Sequence, residues 1–393
     1  MLRIAIVGSG PAALMAATQL VSSPRSSSYQ VHLFEKRAGL GRKLLIAGSS
    51  GLNISHEHSL HDFTQHYEGW TPGFWNQLLT SFAPKDWISF IETELKLETF
   101  LGTSQRYFVK EMKASTLLKH WTQFLEERGV IIHLQSELTD FKTGANGVSL
   151  SFNGDPSTVQ TFSKAAFFLG GASWEDEEPK WAELFRIKKI KMIPFEASNV
   201  GYEVDWNEKF LTESEGKPLK KIELQTKRGK KMGELVVTSY GLEGTPIYFC
   251  GIKGQAFLDL KPDLSEKQIL DKLSYTKENL SPIRRVKHLL ALSEASESLL
   301  FHHSSVEEKN DLTKLVARIK KFPLLLKQAR PLSESISSKG GVDLEELFPS
   351  FELKKYPGVY CGGEMLNWDS PTGGFLIQAC VSQGAVIGRT VSC

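Results

Sequence analysis

MLRIAIVGSGPAALMAAT, residues 1–18, decides how the rest of the chain is read. Ile4 to Val7 is a short apolar, β-branched run, long enough for one strand buried in a parallel sheet. Gly8, Gly10 and Ala13 then follow the G-x-G-x-x-G/A spacing, and from Leu14 the apolar positions Ala17, Leu20 and Val21 continue as a helix. The first glycine permits a tight turn, the second lets backbone approach a pyrophosphate, and a small third residue lets helix and strand pack closely. The helix N-terminus then presents free N–H groups to the phosphates. A second strand, Tyr29 to Phe34, ends at Glu35, twenty-two residues beyond Ala13, where an acidic side chain meets an adenosine ribose.

Outward from this unit, the 393 residues suffice for two or three domains, with the composition of an ordinary globular protein (41% hydrophobic, 23% charged). A formal net charge of +2 singles out neither nucleic acid nor a membrane surface. Cys250, Cys361, Cys380 and Cys393 form no C-x-x-C pair and no metal-ligand cluster, so neither a disulfide framework nor a metal site is expected. No apolar stretch of about twenty residues is present to span a membrane. Free thiols, and an N-terminus that runs straight into a core strand without room for a signal peptide, make a cytoplasmic protein the expectation.

Residues 36–53, KRAGLGRKLLIAGSSGLN, hold two glycine-rich turns around a short apolar patch that carries Arg42 and Lys43. Such a loop exposes N–H groups and two cations near the end of the second strand, suited to an anionic cofactor. Trp70 to Leu97 is helical in period with breaks at Pro72 and Pro84, and Ala114 to Arg128 is an amphipathic helix leading into a strand, Val130 to Leu134. Glu137 to Lys142, Gly147 to Phe152 and Val159 to Phe162 read as a β-meander. Lys164 to Leu169 is a strand entering Gly170 and Gly171, again a place for backbone to approach a ligand. Residues 194–263 alternate in short segments like a small antiparallel barrel, and 264–328 are helical in pattern. Gly358 to Gly362 returns to a strand entering glycines, and Gly373 to Arg389 to a helix of small residues. Lys217 to Lys231, with seven lysines and arginines but no aromatic residue, reads as a hairpin with a lysine-rich edge rather than a nucleic-acid surface.

Several of these stretches resemble, in order, the motifs of the HI0933-like (YhiN) group of bacterial FAD-dependent flavoproteins, which is related to aminoacetone oxidase and a bile-acid reductase. GSGPAALMAA and FEKRAGLGRKLLIAGSSGLNIS resemble the family's opening and its glycine-rich loop. RYFVKEMKASTLL (106–118), FFLGGASW, GELVVTSYGLEGTPI (233–247) and PFEASNVGYEV (194–204) are similar to later segments. So are KGGVDLEEL and GVYCGGEMLNWDSPTGGFLIQAC near the C-terminus. The resemblance implies an α/β fold: a Rossmann-like FAD-binding domain of the glutathione-reductase type, built from residues 1–193 and 329–393, with a β-barrel (194–263) and a helical domain (264–328) inserted.

The resemblance also implies site roles. Gly8, Ser9, Gly10, Pro11 and Ala12 would hold the diphosphate, Glu35 and Lys36 the adenosine side, and Leu138 the adenine through its backbone. Arg42 and Lys43 would lie along the diphosphate and ribityl chain, with Gly48, Ser49 and Asn53 near the isoalloxazine. Gly170 and Gly171 would approach the cofactor, as would Gly363. Glu364 and Asp369 match acids near the ribityl and diphosphate. Gly373, Gly374 and Phe375 would turn a helix N-terminus toward the flavin, so bulk at Gly374 is expected to displace flavin while the fold persists. Leu52 stands where the family often has cysteine, and Thr238, Ser239 and Tyr240 replace a region that carries a histidine, so no catalytic residue is assigned. The implied function is an FAD-dependent oxidoreductase passing hydride between a small organic substrate and flavin N5, with oxygen as electron acceptor or NAD(P)H as donor. The alternative is a flavin-dependent nucleic-acid-modifying or RNA-binding protein. Oligomeric state, substrate and proton-transfer residue are left open.

Overall fold

A computed structural model describes residues 1–48, 51–153, 159–275 and 280–392. It divides into two compact units, one of residues 1–196 and 338–393 and one of residues 197–337.

The first unit is built on five strands: β1 (Leu2–Val7), β2 (Tyr29–Phe34), β3 (Ile131–His133), β4 (Lys164–Phe167) and β5 (Val359–Cys361). They lie in the order β5-β4-β1-β2-β3, every pairing parallel. The chain leaves β1 for β2 on one side and later places β4 on the other, so the strand order reverses beside β1. Ligands of open parallel sheets bind at that reversal, outside the carboxyl ends of the strands. Ile4 to Val7 are buried throughout, because both faces of the sheet are covered.

Three helices matter for the site: α1 (Pro11–Val21), α2 (Arg42–Ala47) and α3 (Phe375–Val391). A Cβ on Gly384 would collide with the Ala12 carbonyl, and one on Gly388 would come within 2.6 Å of the Ala16 carbonyl. The small residues in α3 thus let it pack directly on α1 and bring the C-terminal segment to the fingerprint turn. On another side, the Trp121 indole donates to Thr18 Oγ1 at 2.8 Å, tying the helix Ala114–Glu127 to α1. The stretch from Trp70 to Leu97 forms two helices, Pro72–Ser81 and Pro84–Thr93, each opening on its proline, where the missing N–H costs nothing. The meander is present as Leu138–Gly144, Gly147–Phe152 and Gln160–Phe162. A further small antiparallel sheet joins Asn53–His56, Arg106–Val109 and Thr99–Leu101.

In the second unit six strands run antiparallel in the order Tyr202–Glu203, Gly241–Glu243, Gly229–Thr238, Pro218–Thr226, Gly254–Asp259, Phe322–Leu326. The sheet closes on itself: Glu203 N–H donates to the Gln328 carbonyl and Lys327 N–H to the Glu203 carbonyl, both at 2.9 Å. The helical segment sits between the last two strands of this barrel and shares its core, where Leu258, Ile269, Leu299, Leu315 and Phe322 are all essentially unexposed. The expected division into a barrel (194–263) and a separate helical domain (264–328) is therefore corrected, since Phe322–Leu326 pairs with Gly254–Asp259 and binds the helices into one unit. Lys217 to Lys231 does form a hairpin, but Pro218–Thr226 has strand neighbours on both sides and is not an edge.

Candidate functional site

At the fingerprint turn, Gly8 N–H donates to the Phe34 carbonyl at 2.8 Å and Phe168 N–H to the Val7 carbonyl at 2.8 Å, wedging the turn between the ends of β2 and β4. Gly8 has φ +107°, and a Cβ there would strike the Phe168 carbonyl, so only glycine fits. Gly10 is different: its φ is −74° and a Cβ would meet nothing within 4 Å. Its missing side chain leaves open space in front of the first turn of α1, which has no side-chain cap.

That space belongs to a cavity with an empty volume of about 1120 Å³, part of it open to solvent, wholly lined by the first unit. Gly8, Ser9, Gly10, Pro11 and Ala12 form one wall. Glu35 and Lys36 reach it from the end of β2, Arg42 and Lys43 from the first turn of α2, and Leu138 from the meander. Gly170 and Gly171 after β4 and Gly363 and Glu364 after β5 complete it. These segments follow four different strands or strand ends, and the reversal of strand order beside β1 gathers them at one place.

The cavity wall is internally wired. Ser9 Oγ donates to Glu35 Oε2 and accepts from Gly41 N–H at 3.0 Å, while Arg37 N–H donates to Glu35 Oε1 at 2.9 Å. The Ser9 hydroxyl is thus committed to fixing the Glu35 carboxylate and the turn that starts α2. Arg37 and Arg42 both pair with Glu175, at 3.1 and 3.0 Å. Lys43 Nζ donates to the Gly171 carbonyl at 2.7 Å and to Ser173 Oγ at 3.3 Å. Burial pushes the Lys43 ammonium down from its ordinary range, with Glu364 and then Glu175 opposing. Burial pushes the Glu364 carboxyl up, with Lys43 opposing and Asp369 adding to the rise. Cys380, on α3, also lines the cavity, and burial holds its thiol well above the ordinary range.

The remaining expected site residues are placed elsewhere. Ser49 lies outside the described residues. Gly48, Asn53, Asp369, Gly373, Gly374 and Phe375 are not among the residues that line the cavity. A Cβ on Gly48 would collide with Ala114, so this glycine serves packing of α2 against the helix Ala114–Glu127. Asn53 keeps a buried Oδ1 with no hydrogen-bond partner. Asp369 is buried and exchanges a backbone bond with Glu68, whose N–H donates to its carbonyl at 2.9 Å. Gly374 has φ +99°, and a Cβ there would strike the Ser55 main chain. Bulk at this position would therefore disrupt packing, which corrects the expectation that the fold persists. Phe375 packs among Phe63, His56 and His66, and its carbonyl accepts from Tyr67 OH at 2.8 Å.

Arg37, Glu175 and Trp181 line the cavity without having been singled out in the sequence. The acidic run after Gly171 was the one available signal for Glu175. Arg37 and Trp181 carry none, because their placement depends on tertiary packing. The open side of Gly10, the cations at the start of α2 and the carboxylate at the end of β2 fit a dinucleotide with a diphosphate and an adenosine ribose.

Known proteins bear on the same point. The family described as HI0933-like protein Rossmann domain matches residues 2–390. A 3-dehydro-bile acid delta(4,6)-reductase from Clostridium scindens is 21% identical over 428 residues, covering 99% of each chain. Among solved structures, a 3-ketosteroid-delta4-(5alpha)-dehydrogenase from Rhodococcus jostii superposes with a TM-score of 0.52 at 10% identity, covering 100% of this chain and 97% of that one. A flavocytochrome c3 fumarate reductase superposes with a TM-score of 0.52 at 13% identity, covering 100% of this chain and 78% of that one.

Proposed function

The chain belongs to the HI0933-like family, and from that premise we propose that it is an FAD-dependent oxidoreductase acting on a small organic substrate. The observation that carries the reading is a single cavity that joins the Gly8–Ala12 turn, Glu35, the Arg42–Lys43 pair and the glycines after β4 and β5. When bound, FAD would supply hydride transfer to or from substrate. The protein's part is positional and electrostatic. The first turn of α1 would receive the diphosphate, and Glu35, fixed by Ser9 and Arg37, would accept from ribose hydroxyls. Lys43 and Glu364 face the cavity with their charges opposed, one pushed down and one pushed up by burial. Such a pair is suited to stabilising charge that develops beside the cofactor.

The bile-acid reductase spans nearly the whole chain, which makes an electron-poor carbon–carbon double bond the first substrate type to test. The test is an absorption spectrum after reconstitution with FAD, followed by anaerobic titration with NADH and NADPH. A flavin spectrum that bleaches with a nicotinamide assigns a reductase. A flavin that resists both nicotinamides but is reduced by an organic substrate and reoxidised by oxygen assigns an oxidase, and a protein that stays colourless overturns the reading.

A further inference from the structure

Strands β2 and β4 flank β1 on opposite sides, so the segments that follow them stand on opposite sides of the Gly8–Ala12 turn. Side chains join these two segments across the cavity. From the β2 side, Lys43 Nζ donates to the Gly171 carbonyl and to Ser173 Oγ. Further along the β4 side, Glu175 Oε1 accepts from Arg37 Nη2 at 3.1 Å and from Arg42 Nη1 at 3.0 Å. Arg37, Arg42, Lys43 and Glu175 all line the cavity.

The two links differ in depth. Gly171, Ala172 and Ser173 are buried, and Ala172 N–H donates to Ser338 Oγ at 2.8 Å, which fixes the inner end of the segment. Pro179, also buried, fixes the outer end at the start of the helix Lys180–Ile187. Between them residues 174–178 form neither helix nor strand, and among the described residues no backbone–backbone hydrogen bond involves them. Trp174 holds a left-handed φ of +58°, a costly conformation for a bulky residue. Glu178 pairs with Arg186 of the following helix, so it is Glu175 that ties this stretch back across the cavity. The Glu175 side chain is 27% exposed and its two arginines 38% and 39%. Ion pairs so close to solvent break and re-form readily.

We propose that residues 174–178 are a strap over the cavity, latched by Glu175 on Arg37 and Arg42, which opens to admit the dinucleotide and closes behind it. Each arginine offers the latch a single nitrogen, which leaves the rest of its planar fork for an anion in the cavity. Glu175 acts through the arginines and is a positioning residue. Identifying the occupant as FAD rests on the oxidoreductase reading; the latching of the strap does not.

The experiment measures FAD uptake and release rates by stopped-flow fluorescence in wild type, E175Q, E175D and R37Q. Cleavage of the apoproteins after Glu177 and Glu178 by a glutamate-specific protease is followed in parallel. Opening a latch lowers the barrier in both directions, so E175Q is expected to take up and release FAD at least fivefold faster than wild type. R37Q should move the same way, with E175D nearer to wild type, and cleavage of the strap should be at least fivefold faster in E175Q. If E175Q fails to fold, R37Q carries the same test. Wild-type rates in E175Q and R37Q overturn the proposal. So does faster release without faster uptake, which would assign Glu175 to cofactor affinity alone. Faster uptake with unchanged release also overturns it, because Glu175 would then compete with the cofactor for the arginines. Should wild type take up no FAD, the oxidoreductase reading fails, while the cleavage rates of the colourless proteins still decide whether Glu175 latches the strap.

Discussion

The starts of α1 and α3 look alike in sequence and do opposite things. Both open on glycines, and both lack a side-chain cap and an acidic residue in the first turn. At α1 the second glycine, Gly10, has an ordinary φ of −74° and an open Cβ direction. At α3 the corresponding Gly374 has φ +99°, and its Cβ direction is filled by the Ser55 main chain. One glycine leaves open space in front of its helix, and the other allows the chain to turn against itself. α3 reaches the cavity through Cys380, more than a turn further along, rather than through its first residue.

The largest effect that follows is at Gly374. Gly374→Val combines a left-handed φ with a collision against main chain, and should lose more than about 3 kcal/mol of stability. Denaturant unfolding measures this, and a midpoint near wild type would break the comparison from the α3 side. Gly10→Ala should do the reverse. Its unfolding free energy is expected to stay within about 0.5 kcal/mol of wild type, while FAD affinity falls at least tenfold, or about 1.4 kcal/mol. Equal FAD affinity in the two proteins would mean that the open side of Gly10 does not face the cofactor.

Stability should also depend on pH through residues away from both helix starts. His32 Nδ1 and His133 Nε2 lie 3.0 Å apart on adjacent strands. Burial first, then Arg3 and His133, lower His32 from 6.5 to about 4, and His133 is lowered as well. The unfolded chain then takes up these protons at higher pH than the folded one, so their contribution is complete above pH 6.5 and is lost as pH falls from 6.5 toward 4. Thermal melting across that window should fall less steeply in His32→Asn than in wild type, and identical profiles would remove the pair as the cause.

The smallest effect concerns Cys380. With its thiol held high, as are Cys361 and Cys250, the native protein in a Cys393→Ser background should resist alkylation at pH 8 and react only after denaturation. Rapid native labelling of Cys380 would show α3 to be looser at the cavity than its packing on α1 implies.

How much of this was legible in the sequence follows the same division. The Ile4–Val7 strand, the Gly8–Gly10–Ala13 turn and Glu35 form a local pattern whose spacing carries its own mechanism, and they meet in the structure as that pattern requires. The barrel was visible as alternation, but its closure depends on Glu203 meeting residues 327 and 328, a pairing that no local period encodes. The loop 36–53 concealed α2, because its short helix is framed by glycines that read as turns. Gly48 and Gly374 were read as ligand-facing, since a sequence records that a side chain is missing and not what fills its place.

The central claim is that the cavity beside β1 recognises a dinucleotide, with Glu35 reading the adenosine half. Calorimetric titration of the apoprotein with FAD and with FMN tests it most directly. FAD is expected to bind at one site per chain, and FMN, which lacks the adenosine, at least tenfold more weakly. Equal affinities, or a preference for FMN, would contradict the assignment of Glu35 and of the cavity it lines.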